Sequence, residues 1–298
     1  MHNPSALSGL PSGAAAPGEP FRLGSRAHLD AFCHMLLDTH NPYHPAVMEW
    51  PTLDGPARDR LVSLPIWDIA VQTEERARLH IASYAAGIAD PLLQEAVALN
   101  AFEEGRHKHV LAHLVQAYGI ALAPEPAYAT PRDPEWAFMV TGFSECIDSF
   151  FAFGLFDVAK RSGFFPAALV DTFEPVIQEE ARHILFFANW VAWHRRNLAR
   201  WRRPFFALKV LRVWLFLMRE RIGIARDVSN GVQDNNFTVT GANQLGADLD
   251  AAALMAVCLA ENDRRLARYD PRLKRPSTVP ALVRFALRFM RARSQERT

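Results

Sequence analysis

The chain has 298 residues, 50% apolar and 22% charged, which supplies ample material for a buried core and describes an ordinary soluble protein. Its 33 basic and 32 acidic side chains leave a net charge of +1, so no global field draws it to nucleic acid. The three cysteines, Cys33, Cys146 and Cys258, are far apart in sequence, which excludes a disulfide framework, a zinc knuckle or an attached cysteine-held iron site and suits a reducing cytoplasm.

Residues 1–22 are rich in Pro, Gly, Ala and Ser but have neither a basic leading region nor a continuous apolar run, so a disordered tail is expected and not a signal peptide. Residues 23–63 read as a helix and an irregular connection. Ser25 is a fitting N-cap for a helix to about Thr39, with Leu29, Phe32, Cys33, Leu36 and Leu37 on one stripe. From His40 to Ser63 the chain is interrupted by Pro42, Pro45, Pro51, Gly55 and Pro56; no regular element is expected, and His40 and His44 read as solvated turn residues.

Residues 64–203 hold four long helical segments. The first runs from Pro65 to about Ile88 with its apolar stripe through Ile66, Ala70, Ala77, Ile81 and Ala85. Glu74 falls on that stripe, whereas Glu75 shares a face with Asp68, Gln72 and Arg78; Glu74 is the favoured ligand candidate and Glu75 the alternative. The second spans Pro91 to Tyr118, with Gly119 placed to end it. The third begins at Asp133-Pro134 and reaches Ser162. Its middle is dense in Phe, and Glu145 and Asp148 are the acids there; an acid in such surroundings has to be paired, neutralised or metal-bound. Phe150 and Phe151 are expected to wall an apolar cavity beside Glu145. The fourth starts near Asp171 or Thr172, with Pro175 in its first turn, and continues to about Trp201.

Residues 204–298 form a helical extension. Phe205 to Met218 is strongly apolar but carries Lys209 and Arg212 and falls short of the roughly 20 residues a bilayer span needs. Asp227 to Asp248 reads as a long polar loop, and Asp250 to Ala267 as a helix. Val279 to Arg293 is basic and amphipathic, suited either to packing on its own domain or to lying on an anionic membrane.

One motif occurs twice: Glu103-Glu104-Gly105-Arg106-His107 and Glu179-Glu180-Ala181-Arg182-His183. On a helix, residues three apart share a face, so Glu104 with His107, and Glu180 with His183, each offer a carboxylate oxygen and an imidazole nitrogen to one point. Adding Glu74 and Glu145 gives four carboxylates and two histidines on four helices, the ligand inventory of di-iron or di-manganese carboxylate bundles. Glu103 and Glu179 read equally as acceptors behind the ligand histidines or as exposed helix acids. The expected fold is all-α, a ferritin-like four-helix bundle with additional N- and C-terminal helices.

Over about residues 64–200 the chain resembles the ferritin-like di-iron carboxylate superfamily. Thr73-Glu74-Glu75 and Glu103-Glu104-Gly105-Arg106-His107 are similar to the first two ligand stretches of plant acyl-carrier-protein desaturases, and Glu145-Cys146 is similar to the third-helix Glu-Cys pair of cyanobacterial aldehyde-deformylating oxygenases. The resemblance implies Glu74 as the first-helix ligand, two iron ions or a manganese and an iron, O2 as co-substrate, and hydroxylation, desaturation or N-oxygenation of a small, partly apolar organic molecule. Leu111 stands where the ribonucleotide reductase small subunit has its radical tyrosine, which disfavours that activity, and Val176 where arylamine N-oxygenases have an extra ligand histidine, which disfavours that specific site. With no flavin fingerprint or iron–sulfur cysteine set, electrons are expected from an external donor such as a ferredoxin or reductase. The competing expectation is a ferroxidase or other iron-handling protein. The remaining expectations are a cytoplasmic or membrane-peripheral location, a homodimer, and no nucleic-acid partner.

Overall fold

The computed structural model describes residues 21–229 and 250–295, and every regular element among them is helical. The expected tail at 1–22 lies outside the described residues except for 21 and 22, and the expected loop at 227–248 does so except for 227–229, which instead continue the helix that begins at Arg203. In order the helices are α1 (Arg26–Asp38), α2 (Gly55–Val62), α3 (Trp67–Ala85), α4 (Pro91–Tyr118), α5 (Pro134–Ser162), α6 (Ala167–Thr172), α7 (Glu174–Asn197), α8 (Arg203–Ser229), α9 (Ala251–Leu266) and α10 (Thr278–Gln295).

Local chemistry sets most of these boundaries. The Ser25 hydroxyl accepts from the His28 amide, Asp90 from Leu93 and Asp133 from Trp136, each satisfying an N–H that the first turn leaves free. Pro91 and Pro134 occupy first-turn positions, where a missing N–H costs nothing. α4 and α5 stop at Gly119 and Gly163, whose φ values of 68° and 67° lie in the left-handed region that glycine enters without strain.

Two stretches depart from expectation. The segment 40–63 contains a short 3-10 turn at Pro45–Val47 and the helix α2. Pro56 reads as a breaker, yet it sits in the first turn of α2 behind the Asp54 cap, whose side chain accepts from Ala57 at 2.8 Å. The fourth long segment is α7, with Pro175 in its first turn as expected, but the short helix α6 precedes it unannounced and ends at Phe173, because Pro175 has no N–H to continue a ladder from α6.

α3 packs on α4 and α5, α5 on α7, and α4 on α7, while α1 lies against both α4 and α7. The largest core cluster joins Phe32 of α1, Phe138 and Phe153 of α5, and Phe186 and Trp190 of α7. Trp190 is fully buried and meets the Phe138 ring edge-on at 4.8 Å. α5 is long and apolar enough to cross a bilayer by composition, but 56% of that apolar window is buried inside the molecule. One reason is the C-terminal extension: α8 and α9 pack on both α5 and α7, and α10 packs on α5 and α9. Gly154 of α5 lets α9 approach closely, since a Cβ there would stand 2.4 Å from Cys258 Sγ of α9.

A candidate metal centre

The two repeated motifs face each other across the interior. Glu104 and His107 of α4 and Glu180 and His183 of α7 each present a ligand atom, and these four atoms lie within 4.8 Å of one another. His183 Nδ1 is 2.8 Å from Glu104 Oε1, and His107 Nδ1 is 3.1 Å from Glu180 Oε1, so each imidazole approaches the carboxylate of the other motif. The two rings are 5.6 Å apart between centroids.

The outer edges of both rings explain their orientation. His107 Nε2 bonds Glu179 Oε2 at 2.8 Å and His183 Nε2 bonds Glu103 Oε2 at 2.8 Å. An ionised carboxylate can only accept, so each Nε2 carries a proton, and Nδ1 is the ring nitrogen that faces inward and can be given up to a metal. Glu103 and Glu179, which the sequence leaves open between exposed acids and acceptors, are therefore buried acceptors. Their remaining oxygens are also held. Arg106 donates to Glu179 and Arg182 donates to Glu103, so the arginines cross between motifs as the histidines do.

The segment after α1 closes this outer layer. Tyr43 donates its hydroxyl to Glu179 at 3.1 Å, and His40 Nδ1 lies 2.6 Å from Glu103 Oε1. Arg182 also donates to Thr39 Oγ1, and Arg106 donates to the Asn41 carbonyl. Burial opposes ionisation of Glu103, but His183, Arg182 and His40 outweigh it and hold its carboxyl well below the usual range. His40 thus departs from the solvated role expected of it, while His44 is exposed as expected. Nothing local in the proline-rich 40–63 stretch signals His40 or Tyr43; the demand comes from two buried acids far away in sequence.

The inner side of the cluster is polar, buried and unsatisfied. Glu104 Oε1, His107 Nδ1, His183 Nδ1 and Glu145 Oε1 have no hydrogen-bond partner. Such close N–O approaches need either a proton or a metal cation between the two atoms, since lone pair against lone pair costs free energy. Glu74 Oε2 is 3.8 Å from His107 Nδ1. Burial pushes Glu74 up to about 8; His107 opposes the shift, while Glu104 and Glu180 add to it. Glu145 is likewise raised well above the ordinary range by burial and by Glu104 and Glu180. Burial also disfavours charge on His107 and His183, but the carboxylates around them win and raise both well above 6.5. All of these groups would relax around a bound cation, and protons and metal would compete for the same Nδ1 atoms. The donor set of carboxylates and imidazoles, without thiolate, suits a hard or borderline metal.

Glu75 faces away, pairing with Arg78 at 3.1 Å and Lys108 at 3.4 Å. Asp148 lies nearer the edge, where it accepts from Ser144 at 3.0 Å and from Arg221 of α8 at 2.7 Å.

A cavity of about 460 Å³ adjoins the cluster and is lined by Glu74, Glu104, His107, Glu145 and Glu180 together with apolar side chains such as Ala70, Leu111, Ala152, Phe156, Phe173 and Val176. Phe150 and Phe151 are not among its walls, contrary to expectation. Phe150 is buried against Cys258, Val279, Val283 and Leu287, and Phe151 packs beside it. On α5 the residues in line with Glu145 are Ser149, Ala152 and Phe156; Phe150 and Phe151 are turned toward the C-terminal helices. His80 is a cavity residue that motif reading misses, its Nδ1 lying 2.9 Å from Thr141 Oγ1. No known protein family, curated protein or solved structure matches this chain.

Proposed function

We propose that the helices α3, α4, α5 and α7 form a ferritin-like bundle holding two iron ions, and that the protein is an O2-dependent oxidase or oxygenase acting on a small, partly apolar organic substrate. One observation carries the reading: two Glu-x-x-His pairs turn their Nδ1 atoms and carboxylate oxygens toward one buried point that borders an apolar cavity. Glu74, Glu104, His107, Glu145, Glu180 and His183 would hold the metal, with a manganese and an iron as the variant the same donors accept. Bound iron would supply the redox chemistry with O2 that no side chain of this chain provides.

The chain's own residues prepare that chemistry. Glu103 and Glu179 keep the protons of His183 and His107 on Nε2, so both Nδ1 atoms stay available. Ser149 approaches Glu180 Oε2 at 3.5 Å from the cavity side. The apolar walls exclude water and would hold a substrate by its hydrocarbon part beside the cluster. Electrons would come from an external donor such as a ferredoxin or reductase.

Iron handling is the second reading, since the same six residues suit a ferroxidase. The mostly apolar lining of the cavity favours the enzyme, because iron in transit is better served by a polar path. Protein purified from iron-replete cells is expected to hold close to two iron ions per chain, with the content falling sharply in Glu104→Ala and His183→Ala. Zinc as the sole metal, or unchanged iron in His183→Ala, would remove the di-iron reading. Mineralisation of ferrous iron in large excess over two per chain would replace the oxygenase with an iron-handling protein.

A further inference from the structure

α8 is apolar on both of its faces. Its inner stripe, Phe206, Val213 and Leu217, is buried against the molecule. On the opposite side Phe205 (67% exposed), Leu208, Leu211, Leu215 (56%), Met218 and Ile222 stand in solvent over several turns. Trp201, just ahead of the helix, is 70% exposed and touches Phe205 edge-on. α10 repeats the arrangement: Val279, Val283 and Leu287 are buried while Leu282, Phe285 and Phe289 are exposed, the last two in ring contact at 4.7 Å. The two helices border one cluster, in which Trp214 of α8 packs with Val283 of α10 around Phe150. Isolated apolar residues on a surface are ordinary, but continuous outward stripes on two helices are not.

The charges among these side chains are nearly all of one sign. Arg200, Arg202, Arg212 and Arg219 accompany the α8 stripe, and Arg284 and Arg288 accompany that of α10. The acids nearby are Glu220, exposed on α8, and Asp263, which accepts from Arg284 at 3.2 Å; Glu135 and Asp133 are already engaged with Lys209. A second copy seated on the same face would set Arg212 and Arg219 against their own counterparts, with Glu220 as the main counter-charge, because an isologous contact pairs a patch with itself. A layer of anionic headgroups over hydrocarbon answers both features at once: apolar side chains enter the acyl boundary, arginines meet phosphates, and a tryptophan settles between.

We propose that the outward faces of α8 and α10 seat this protein on an anionic lipid surface. The cavity adds a reason for that contact. Among its lining residues Thr73 and Arg76 of α3 and Phe216 and Glu220 of α8 are exposed, so its mouth opens beside α8. On the function proposed above, an apolar substrate would pass from the bilayer into the cavity along this helix; the docking itself is independent of the metal.

The test uses the full-length protein as purified and vesicles of phosphatidylcholine with one quarter phosphatidylglycerol. The protein is expected to co-sediment at low salt, to be released as salt screens the arginines, and to bind pure phosphatidylcholine far less. Arg212→Glu with Arg219→Glu should weaken binding about tenfold or more. Phe205→Ser with Leu208→Ser, and separately Phe285→Ser with Phe289→Ser, should weaken it while leaving the thermal melt unchanged, since these side chains are exposed. Acyl-brominated lipid should quench part of the tryptophan fluorescence, and that part should be lost in Trp201→Phe. Equal recovery in the supernatant with and without vesicles at low salt overturns the proposal and leaves the metal reading intact. Binding that ignores salt and headgroup charge overturns it also, as does a concentration-dependent dimer that the Phe205→Ser, Leu208→Ser variant dissociates without any loss of lipid binding.

Discussion

At Glu103 and Glu179 the repeated Glu-Glu-x-Arg-His motif uses every polar residue it has. The second Glu and the His turn inward, while the first Glu and the Arg reach across to the other copy, so that Glu179 serves His107 and Arg106 while Glu103 serves His183 and Arg182. Helix phase alone leads to the inward pairs, since three residues make nearly one turn. It does not lead to the crossing, which depends on how far apart two helices stand. His40 and Tyr43 were illegible for the same reason, being recruited by charges buried 63 and 136 residues away. Glu179→Gln keeps an acceptor beside His107 Nε2 but removes the charge that Arg106 pairs with most closely. Metal affinity is expected to fall roughly 10- to 100-fold, the usual consequence of removing such an outer partner. Glu75→Gln, altering an acid that faces Arg78 and Lys108, should leave affinity unchanged. Competition with a chelator measures both, and equal affinities in the two variants would reduce the outer carboxylates to packing groups.

α5 is the element on which sequence reading both succeeded and failed. Its limits follow from Asp133, Pro134 and Gly163, and Glu145, isolated among aromatic residues in the sequence, has its Oε1 buried without a hydrogen-bond partner. The density of Phe around Glu145 suggests an aromatic cavity wall, yet Phe150 lies five residues on, about 140° around the helix from Glu145. Those aromatic rings serve the C-terminal extension, whose packing on α5 no local pattern announces. Phe150→Ala should therefore cost about 3–5 kcal/mol in a denaturant melt, as for other buried Phe truncations, with metal content retained. Ala152→Phe works the other way, projecting bulk into the cavity next to the cluster and suppressing substrate-dependent O2 consumption. Gly154→Ala probes the opposite face: its Cβ would meet not only Cys258 Sγ but the Cys258 Cα at 2.9 Å, so α9 has to move. A loss of about 1–3 kcal/mol is expected. An unchanged melt would mean that α9 does not sit on Gly154.

For the molecule as a whole, the apolar stripes and end signals located nearly all the long helices, because those signals are local and repeat over many turns. How the appended helices join the metal-bearing ones was not legible, because it rests on side chains brought together from distant elements. Glu135 in the first turn of α5 is such a joint. Its carboxylate lies 2.9 Å from His194 Nε2 near the end of α7 and 2.7 Å from Lys209 Nζ of α8, linking three helices on one side of the molecule. The His194 bond lowers its pKa, burial opposes, and Lys209 lowers it further, bringing the carboxyl to about 2 from an ordinary 4.5. Because the folded value is the lower one, the unfolded chain takes up the proton first as pH falls. The contribution is therefore fully present above about pH 4.5, declines below it, and is gone once the pH passes about 2. Urea unfolding of wild type and Glu135→Gln should differ by up to about 1 kcal/mol at pH 7, the scale of a partly exposed ion pair. The gap should hold to pH 5.5 and narrow at pH 4 and again at pH 3. A difference that stays constant from pH 7 to pH 3 would show that Glu135 joins these helices by shape and hydrogen bonding, without help from its charge.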